Sequence, residues 1–158
     1  MKNETEARYL VRAAKLDDSA EIARLSGELG YPAVPAEISA RLQSLLNHPN
    51  HFIAVAAIDN EQSLLGWIAA EERMMLVAAP QIEIMGLVVD HAARREGIGH
   101  ALIAAVERWT RERGVRYIVV RSNVRRDESH PFYEGLGYAR EKSQHVYVKE
   151  LTVDVTPA

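Results

Sequence analysis

Residues 82–109 read IEIMGLVVDHAARREGIGHALIAAVERW, and three different patterns follow one another within this stretch. The first nine residues are almost continuously apolar, which is typical of a strand that is covered on both faces of a sheet. A basic turn with two glycines comes next. The last part repeats apolar residues at helical spacing, and Gly114 provides a stop for the helix. The stretch therefore predicts a strand, a turn and a helix in direct succession.

The turn between that strand and that helix has the composition of an anion-binding site. The first backbone N–H groups of a helix have no partner inside the helix, and the helix dipole adds about half a positive charge there. Gly97 and Gly99 allow those amides to approach a bulky anion without a Cβ in the way. Arg94 and Arg95 add formal charge beside them. These residues predict a phosphate or pyrophosphate site; the alternative is an ordinary strand-to-helix turn with solvated arginines.

The remaining sequence supplies short elements on both sides of this unit. Besides residues 82–90, strands are predicted at residues 8–13, 52–58, 63–76, 115–122 and 145–153. Helices are predicted from a cap at Asp17, Asp18 or Ser19 to Gly30, from Glu37 to Asn47, from about Gly97 to Gly114, and over residues 128–137. The order β-α-α-β-β-β-α-β-α-β predicts an α/β (α+β) fold with a mixed central sheet. No repeat, low-complexity run or linker divides the sequence, so residues 1–158 are expected to form one domain.

The composition narrows the classes of function. The chain has 158 residues, a net charge of −3 and no cysteine, which removes disulfides, thiolate zinc sites and a cysteine nucleophile. Six scattered histidines show no ligand spacing, so no metal is expected. The acidic balance argues against nucleic-acid binding. A polar N-terminus and the lack of an apolar run of about 20 residues predict a cytoplasmic protein that does not span a membrane.

Two common nucleotide-binding patterns do not fit the turn. The Rossmann pattern G-x-G-x-x-G would need a glycine at Leu102, and no Gly-Lys-Ser/Thr triplet of a Walker motif follows. The pattern Arg94-x-x-Gly97-x-Gly99 after an apolar strand instead resembles the acyl-CoA pyrophosphate loop of the GNAT superfamily of N-acetyltransferases. HPFYEGLGYAR, at residues 130–140, resembles the last helix and turn of that family. The resemblance implies a mostly antiparallel sheet flanked by about four helices.

The resemblance also implies a direct transfer of the acetyl group from acetyl-CoA to a primary amine. Glu83, the only ionisable residue of IEIMGLVV, would be the general base, because an alkyl ammonium has a pKa near 10 and must lose a proton before attack. The alternative for Glu83 is a strand-end carboxylate that reaches water or pairs with an arginine. Tyr133 matches the tyrosine that many members place beside the sulfur of CoA; it can also pack against Phe132. The residues implied to bind acetyl-CoA are Leu87, Val88, Val89, Arg94, Arg95, Glu96, Gly97, Ile98, Gly99, His100 and Asn123.

Some positions qualify this interpretation. Many members carry an asparagine seven residues before the tyrosine, where this chain has Arg126, and Asn123 is the candidate substitute. Gly86, in the middle of its strand, fits a bulge that splays this strand from its neighbour. Trp67 is expected to pack in the core. Glu71 and the next glutamate face either a cationic acceptor or solvent.

The leading hypothesis from the sequence is an acetyl-CoA-dependent N-acetyltransferase. A small cationic molecule is favoured over a protein amine as acceptor, because the chain is short and acidic and has no appended domain. The alternatives are a non-catalytic acyl-CoA-binding regulatory module and a nucleotide-binding regulator. The presence of both Glu83 and Tyr133 argues against the non-catalytic module. A homodimer is consistent with the resemblance.

Overall fold

The computed structural model describes residues 9–58, 62–94, 96–121 and 129–154, which fall into two compact units, Met1–Arg121 and Ser122–Ala158. In the first unit the strands are β1 (Tyr9–Ala13), β2 (His51–Ile58), β3 (Leu64–Arg73), β4 (Gln81–Val89) and β5 (Ile118–Val120). The helices of this unit are α1 (Ser19–Glu28), α2 (Pro35–Leu46) and α3 (Ile98–Glu112), with 3₁₀ turns at Leu16–Asp18 and His91–Ala93. The second unit contains α4 (Ser129–Gly135).

The five strands form one sheet in the order β1-β2-β3-β4-β5. Strands β1 to β4 pair with their neighbours in the antiparallel sense, and β5 pairs with β4 in the parallel sense. The prediction of a mixed, mostly antiparallel sheet with four helices is therefore confirmed. The register between β3 and β4 shifts between Ala69 and Ala70, where Met85 is an extra residue in β4. This bulge adjoins Gly86, as the sequence predicts.

Helices cover both faces of the sheet. Trp67 of β3 packs against an apolar cluster that α1, α2 and the sheet share, whereas a Cβ on the neighbouring Gly66 would lie 3.2 Å from Cδ1 of Leu102 in α3. Since successive residues of a strand point to opposite faces, α1 and α2 lie on one face and α3 on the other. The cluster on the first face consists of Ala14, Ile22, Leu25, Leu42, Ile53, Val55, Ala57, Leu64 and Val88.

Gly86 lies against the indole of Trp67, and this contact leaves no room for a larger residue. A Cβ at position 86 would lie 2.8 Å from Cη2 and 2.9 Å from Cζ3 of Trp67. We expect Gly86→Ala to lower the free energy of unfolding by about 1–3 kcal/mol, because the indole ring must shift within a packed cluster. Urea unfolding followed by tryptophan fluorescence measures this loss.

Gly27 provides the matched control for that substitution. It lies in α1, its φ is not positive, and a Cβ there would meet no atom within 4 Å outside the backbone of its own helix. Gly27→Ala should therefore raise the free energy of unfolding by about 0.5–1 kcal/mol, because alanine loses less backbone entropy in a helix. Equal effects of the two substitutions would contradict the close contact at Gly86.

The ends of the helices follow the sequence in most places. Gly30, after α1, and Gly114, after α3, have φ values of 92° and 70°, in the left-handed region that favours glycine. Helix α2 begins at Pro35 and not at Glu37, because proline suits the first turn of a helix. Asp18 occupies the N-cap position of α1, but its side chain makes no capping hydrogen bond. Asp18 therefore lies at one of the predicted cap positions, but the expected capping hydrogen bond is not formed.

The Asp18 carboxylate binds Arg12 of β1 instead. Its two oxygens accept hydrogen bonds of 2.8 Å from Nη1 and Nη2 of Arg12, and Oδ2 also accepts one from the backbone N–H of Lys15. Burial by itself raises the pKa of Asp18, but these hydrogen bonds and the positive charge of Arg12 outweigh burial. The pKa of Asp18 consequently lies below its ordinary value. This pair ties β1 to the turn before α1.

The Asp18 pair predicts an acid-dependent part of the stability. A carboxyl group with a lowered pKa in the folded state stabilises the fold fully above its unfolded pKa near 3.9, and this contribution is lost as pH falls through the folded pKa. We expect Asp18→Asn to lose about 1.5–3 kcal/mol at neutral pH and to show a smaller pH slope below about pH 4. Urea unfolding at a series of pH values measures both quantities. Identical pH slopes for the variant and the wild type would contradict the prediction.

The second unit contains the last helix that the sequence predicts. Pro131 lies in the first turn of α4, where its missing N–H is tolerated, and Tyr133 lies near the middle of the helix. Ser129 is the first helical residue. Gly137 follows the helix with a φ of 90°. No helix in the described ranges is long and apolar enough to cross a membrane.

The end of the chain differs from the sequence prediction. The strand predicted at residues 145–153 is wrong, because the described residues 139–154 contain neither strand nor helix. Val146, Tyr147 and Val148 are exposed in this segment. Their residue types favour a strand locally, but no ladder includes them within the described part of the chain. Strands β3 and β5 are also shorter than predicted.

Candidate functional site

The glycine turn has the backbone that the sequence predicts for an anion site. Gly97 has a φ of 80° and directly precedes Ile98, the first residue of α3. A Cβ at position 97 would meet no atom within 4 Å, so glycine is required here for its conformation and not for space. The N–H of Ala101 donates to the carbonyl oxygen of Gly97 at 3.0 Å. The three N–H groups before it therefore have no acceptor inside α3.

The charged residues predicted for this turn lie at the surface. Arg94, Glu96 and His100 are exposed, and Gly99 is half-buried in the first turn of α3. A guanidinium group and the open end of a helix thus reach solvent within a few residues of each other. The predicted contacts that lie outside the described residues are Arg95 and Asn123, together with Arg126.

Ion pairs fix the chain where β4 passes into the turn. Asp90 accepts a hydrogen bond from the N–H of Ala92 at 2.9 Å and pairs with Arg24 of α1 at 3.0 Å. Burial by itself raises the pKa of Asp90, but both partners outweigh burial and the pKa lies below its ordinary value. Arg24 also donates to Glu21 and to the carbonyl oxygen of Leu64. Helix α1 therefore holds the end of β4 in place.

The second half of β4 has an open edge on the side of β5. The ladder with β5 extends only to Ile84, and beyond it no described residue pairs with β4 on that side. The N–H of Asp90 donates to β3, and N–H groups alternate between the two sides of an antiparallel strand. The N–H groups of Leu87 and Val89 therefore point away from β3, whereas that of Val88 points toward it. Two of the three predicted strand contacts can thus donate to a ligand at this edge.

Glu83 lies near the start of β4, and two arginines hold its carboxylate. Oε2 accepts a hydrogen bond from Nη1 of Arg73 at 2.8 Å, and Oε1 accepts one from Nε of Arg121 at 2.6 Å. Only 5% of Glu83 is exposed, whereas the side chains of Arg73 and Arg121 are 41% and 53% exposed. The carboxylate therefore lies beneath two guanidinium groups that contact solvent. Glu83 therefore pairs with arginine, as the alternative stated for it in the sequence predicts.

The bulge in β4 brings these charges together. Beyond the extra residue Met85, Glu83 lies opposite Glu71 of β3, and Arg73 follows two residues later on the same face. Glu71 lies 3.6 Å from Nε2 of His51 and 4.0 Å from Nε of Arg73. We refer to His51, Glu71, Arg73, Glu83 and Arg121 as the Glu83 cluster. Neither arginine could be identified from the sequence, because contacts across strands leave no local pattern.

Tyr133 lies in the second unit and is half-buried in α4. Its ring makes edge-on contacts with Phe132, at 5.2 Å between centroids, and with Tyr138, at 6.0 Å. The predicted packing against Phe132 is therefore present. The role of the hydroxyl group toward a sulfur atom stays a prediction.

The histidines of the described ranges form no metal site. No group of three or more His, Asp or Glu side chains there could hold a metal ion. His48 and His51 contact each other edge to face, with ring centroids 4.6 Å apart. Nδ1 of His48 also accepts a hydrogen bond from the N–H of Asn50. These two rings therefore support the local structure between α2 and β2.

The fold and the site define a class of protein. The sheet is mixed, and its fourth strand carries a buried glutamate and leads through a glycine turn into a long helix. This is the arrangement that the sequence resemblance to N-acetyltransferases implies. The model of the acetyltransferase (GNAT) family matches residues 17–138, which include β4, the turn, α3 and α4. The chain belongs to this family and is an acyltransferase. No curated protein sequence matches it.

Solved structures share this fold at low sequence identity. The aminoglycoside N-acetyltransferase AAC(6')-Iy in complex with CoA has a TM-score of 0.82 and 19% identity, over 95% of this chain and 100% of that chain. An aminoglycoside acetyltransferase from an uncultured soil metagenomic sample, in complex with trehalose, has a TM-score of 0.79 and 24% identity, over 93% of this chain and 99% of that chain. Glucosamine-6-phosphate N-acetyltransferase from Arabidopsis thaliana has a TM-score of 0.76 and 15% identity, over 90% of this chain and 99% of that chain. These likenesses concern the fold alone.

Proposed function

We propose that this protein transfers the acetyl group of acetyl-CoA directly to a primary amine. The observation that carries the proposal is the construction of β4, which holds the buried Glu83 near its start and leads at its end to Gly97 and the open end of α3. One strand therefore joins a carboxylate to an anion-binding turn. The chain has no cysteine, which excludes an acetyl-cysteine intermediate and supports direct attack by the amine.

In this proposal the turn binds the pyrophosphate of CoA. The first N–H groups of α3 donate to the phosphate oxygens, and Arg94 and Arg95 supply positive charge. The N–H groups of Leu87 and Val89 bind carbonyl oxygens of the pantetheine arm and the acetyl group. One of these N–H groups would stabilise the oxyanion that develops during attack. The structure of AAC(6')-Iy in complex with CoA supports the proposal that this chain uses acetyl-CoA as the acetyl donor.

The transfer needs two residues that handle protons. The ammonium of the acceptor gives one proton to Glu83, and the nitrogen then attacks the carbonyl carbon of the thioester. The C–N bond forms, the C–S bond breaks, and the departing sulfur takes a proton from Tyr133. The proton that the nitrogen loses as the amide forms restores Tyr133. The ammonium and acetyl-CoA thus become an amide, CoA thiol and one released proton.

We favour a small molecule as the acceptor. Two of the fold neighbours are aminoglycoside acetyltransferases and one is a glucosamine-6-phosphate acetyltransferase, so their named substrates are small amines. The expectation of a cationic acceptor rests on the short, acidic chain, and Glu71 and Glu72 are the carboxylates that could face such an acceptor. Glu71, Glu72 and Glu83 each lie within 4.0 Å of an arginine. Their charge is therefore largely balanced before any acceptor arrives.

Calorimetry with CoA and a transfer screen against a panel of amines test this function together. Heat on titration with CoA, and release of CoA thiol from acetyl-CoA with at least one amine, would support an N-acetyltransferase. Binding of CoA without turnover of any amine would favour the non-catalytic acyl-CoA module. Equal affinity for ATP or NAD would favour a nucleotide-binding regulator. No heat with either CoA or acetyl-CoA would overturn the proposal.

A further inference from the structure

We propose that Arg73 binds an anionic group of the acceptor, so that the preferred acceptor is an amine that also carries a carboxylate or a phosphate. This inference rests on the proposed function, because it concerns the acceptor side of the same site. Two observations carry it. Glu83 is already paired twice, and one of its two partners, Arg73, is partly exposed at the end of β3.

The Glu83 cluster disfavours an acceptor that is only cationic. Both oxygens of Glu83 are engaged by guanidinium groups within 2.8 Å. A third positive charge at the same carboxylate would be repelled by Arg73 and Arg121. Glu71 adds a negative charge nearby, but Arg73 lies 4.0 Å from it and balances part of that charge.

An acceptor with its own anionic group avoids this repulsion, because Arg73 can exchange Glu83 for that group as its partner. Nη1 of Arg73 leaves Oε2 of Glu83 and binds the anion of the acceptor, and the ammonium takes its place at Oε2. Glu83 has two cationic partners before and after the exchange, and Arg73 replaces one anionic partner with another, so no buried charge loses its counter-ion. Arg121 keeps its hydrogen bond to Oε1 and holds the carboxylate in position. The proton then passes from the ammonium to Oε2.

The geometry of Arg73 suits this role. Within the described residues its guanidinium group makes one hydrogen bond, to Glu83, and its approach to Glu71 at 4.0 Å is an ion pair only. Its other N–H groups can bind a planar carboxylate or a phosphate through two parallel hydrogen bonds. The side chain also points to the face of the sheet that carries Glu83, so the amine and the anion of one small molecule can reach both residues together.

Matched pairs of acceptors test the proposal with acetyl-CoA as donor. Phenylalanine and phenethylamine differ by a carboxylate, and glucosamine 6-phosphate and glucosamine differ by a phosphate. We expect the wild type to favour the member with the anionic group in at least one pair by about tenfold or more in kcat/KM. The two pairs tell which anion is preferred. Arg73→Gln should reduce the preference to about one, mainly by raising KM for the member with the anionic group, and Arg73→Lys should retain part of it.

Arg41→Gln is the control, because Arg41 is an exposed arginine of α2 that lies 4.0 Å from Glu37, which is not a member of the Glu83 cluster. It should leave the preference unchanged. If Arg73→Gln does not fold, Arg73→Lys decides, and a preference equal to that of the wild type would count against the proposal. Equal kcat/KM within both pairs, or a preference that Arg73→Gln leaves intact, would overturn it. Turnover of amines without an anionic group would in those cases preserve the proposed function, whereas no CoA binding and no turnover of any amine would remove that function itself.

Discussion

Glu83→Gln is expected to lower kcat/KM at pH 7 by roughly 10²- to 10³-fold with the best amine acceptor. An alkyl ammonium with a pKa near 10 leaves about one molecule in 10³ as free amine at pH 7, and a variant without the base depends on that fraction. The deficit should therefore narrow by about tenfold for each pH unit toward pH 9. The affinity for CoA, measured by calorimetry, should not change, because the glycine turn lies fourteen residues further along the chain.

The same substitution also removes the shared partner of two arginines. Arg73 and Arg121 are about half exposed, so water can solvate them and the loss of stability should be modest. Glu72→Gln is the matched control, because Glu72 is the next carboxylate of β3 but faces the other side of the sheet, where it binds Arg113 at the end of α3. It should keep kcat/KM within about twofold. A folded Glu83→Gln enzyme whose kcat/KM at pH 7 is within about threefold of the wild-type value would contradict the role of Glu83 as the base.

The unit of β4, the turn and α3 could be predicted from the sequence because each of its signals is local. The apolar run at residues 82–89, the glycine at position 97 and the helical spacing after it act within neighbouring residues. The strand predicted at residues 145–153 is wrong for the opposite reason. Valine and tyrosine express a local preference, but a strand exists only where another strand supplies hydrogen bonds. That partner is not encoded in the segment itself.

The candidate site could be predicted only in part, for a related reason. Glu83 stands out in the sequence as the one charged residue of an apolar strand. Its partners Arg73 and Arg121 lie ten residues earlier and 38 residues later in the chain. Their approach depends on the extra residue Met85, because a shift of one residue reverses which side chains share a face with the neighbouring strand. Periodicity within one strand carries no information about such a shift.

Tyr133→Phe is expected to lower kcat by roughly 10- to 100-fold while the structure stays intact. The substitution removes the hydroxyl that would protonate the departing sulfur, and it keeps the ring that packs against Phe132 and Tyr138. The loss should be smaller than that of Glu83→Gln, because a thiol with a pKa near 8.5 can also leave as an anion. For the same reason the deficit should shrink above about pH 8.5.

Tyr147→Phe is the control for that variant, since it removes an exposed hydroxyl from the same unit and should keep kcat within about twofold. Release of CoA thiol across a pH series measures kcat, and calorimetry measures the affinity for CoA. A normal kcat with weaker CoA binding would assign the hydroxyl of Tyr133 to holding CoA. A normal kcat together with a normal affinity for CoA would leave packing as the only role of Tyr133. A kcat deficit of Tyr133→Phe that disappears as pH rises past the pKa of the thiol would support a lost proton donor, whereas a deficit that stays constant with pH would indicate a residue that only positions the thioester.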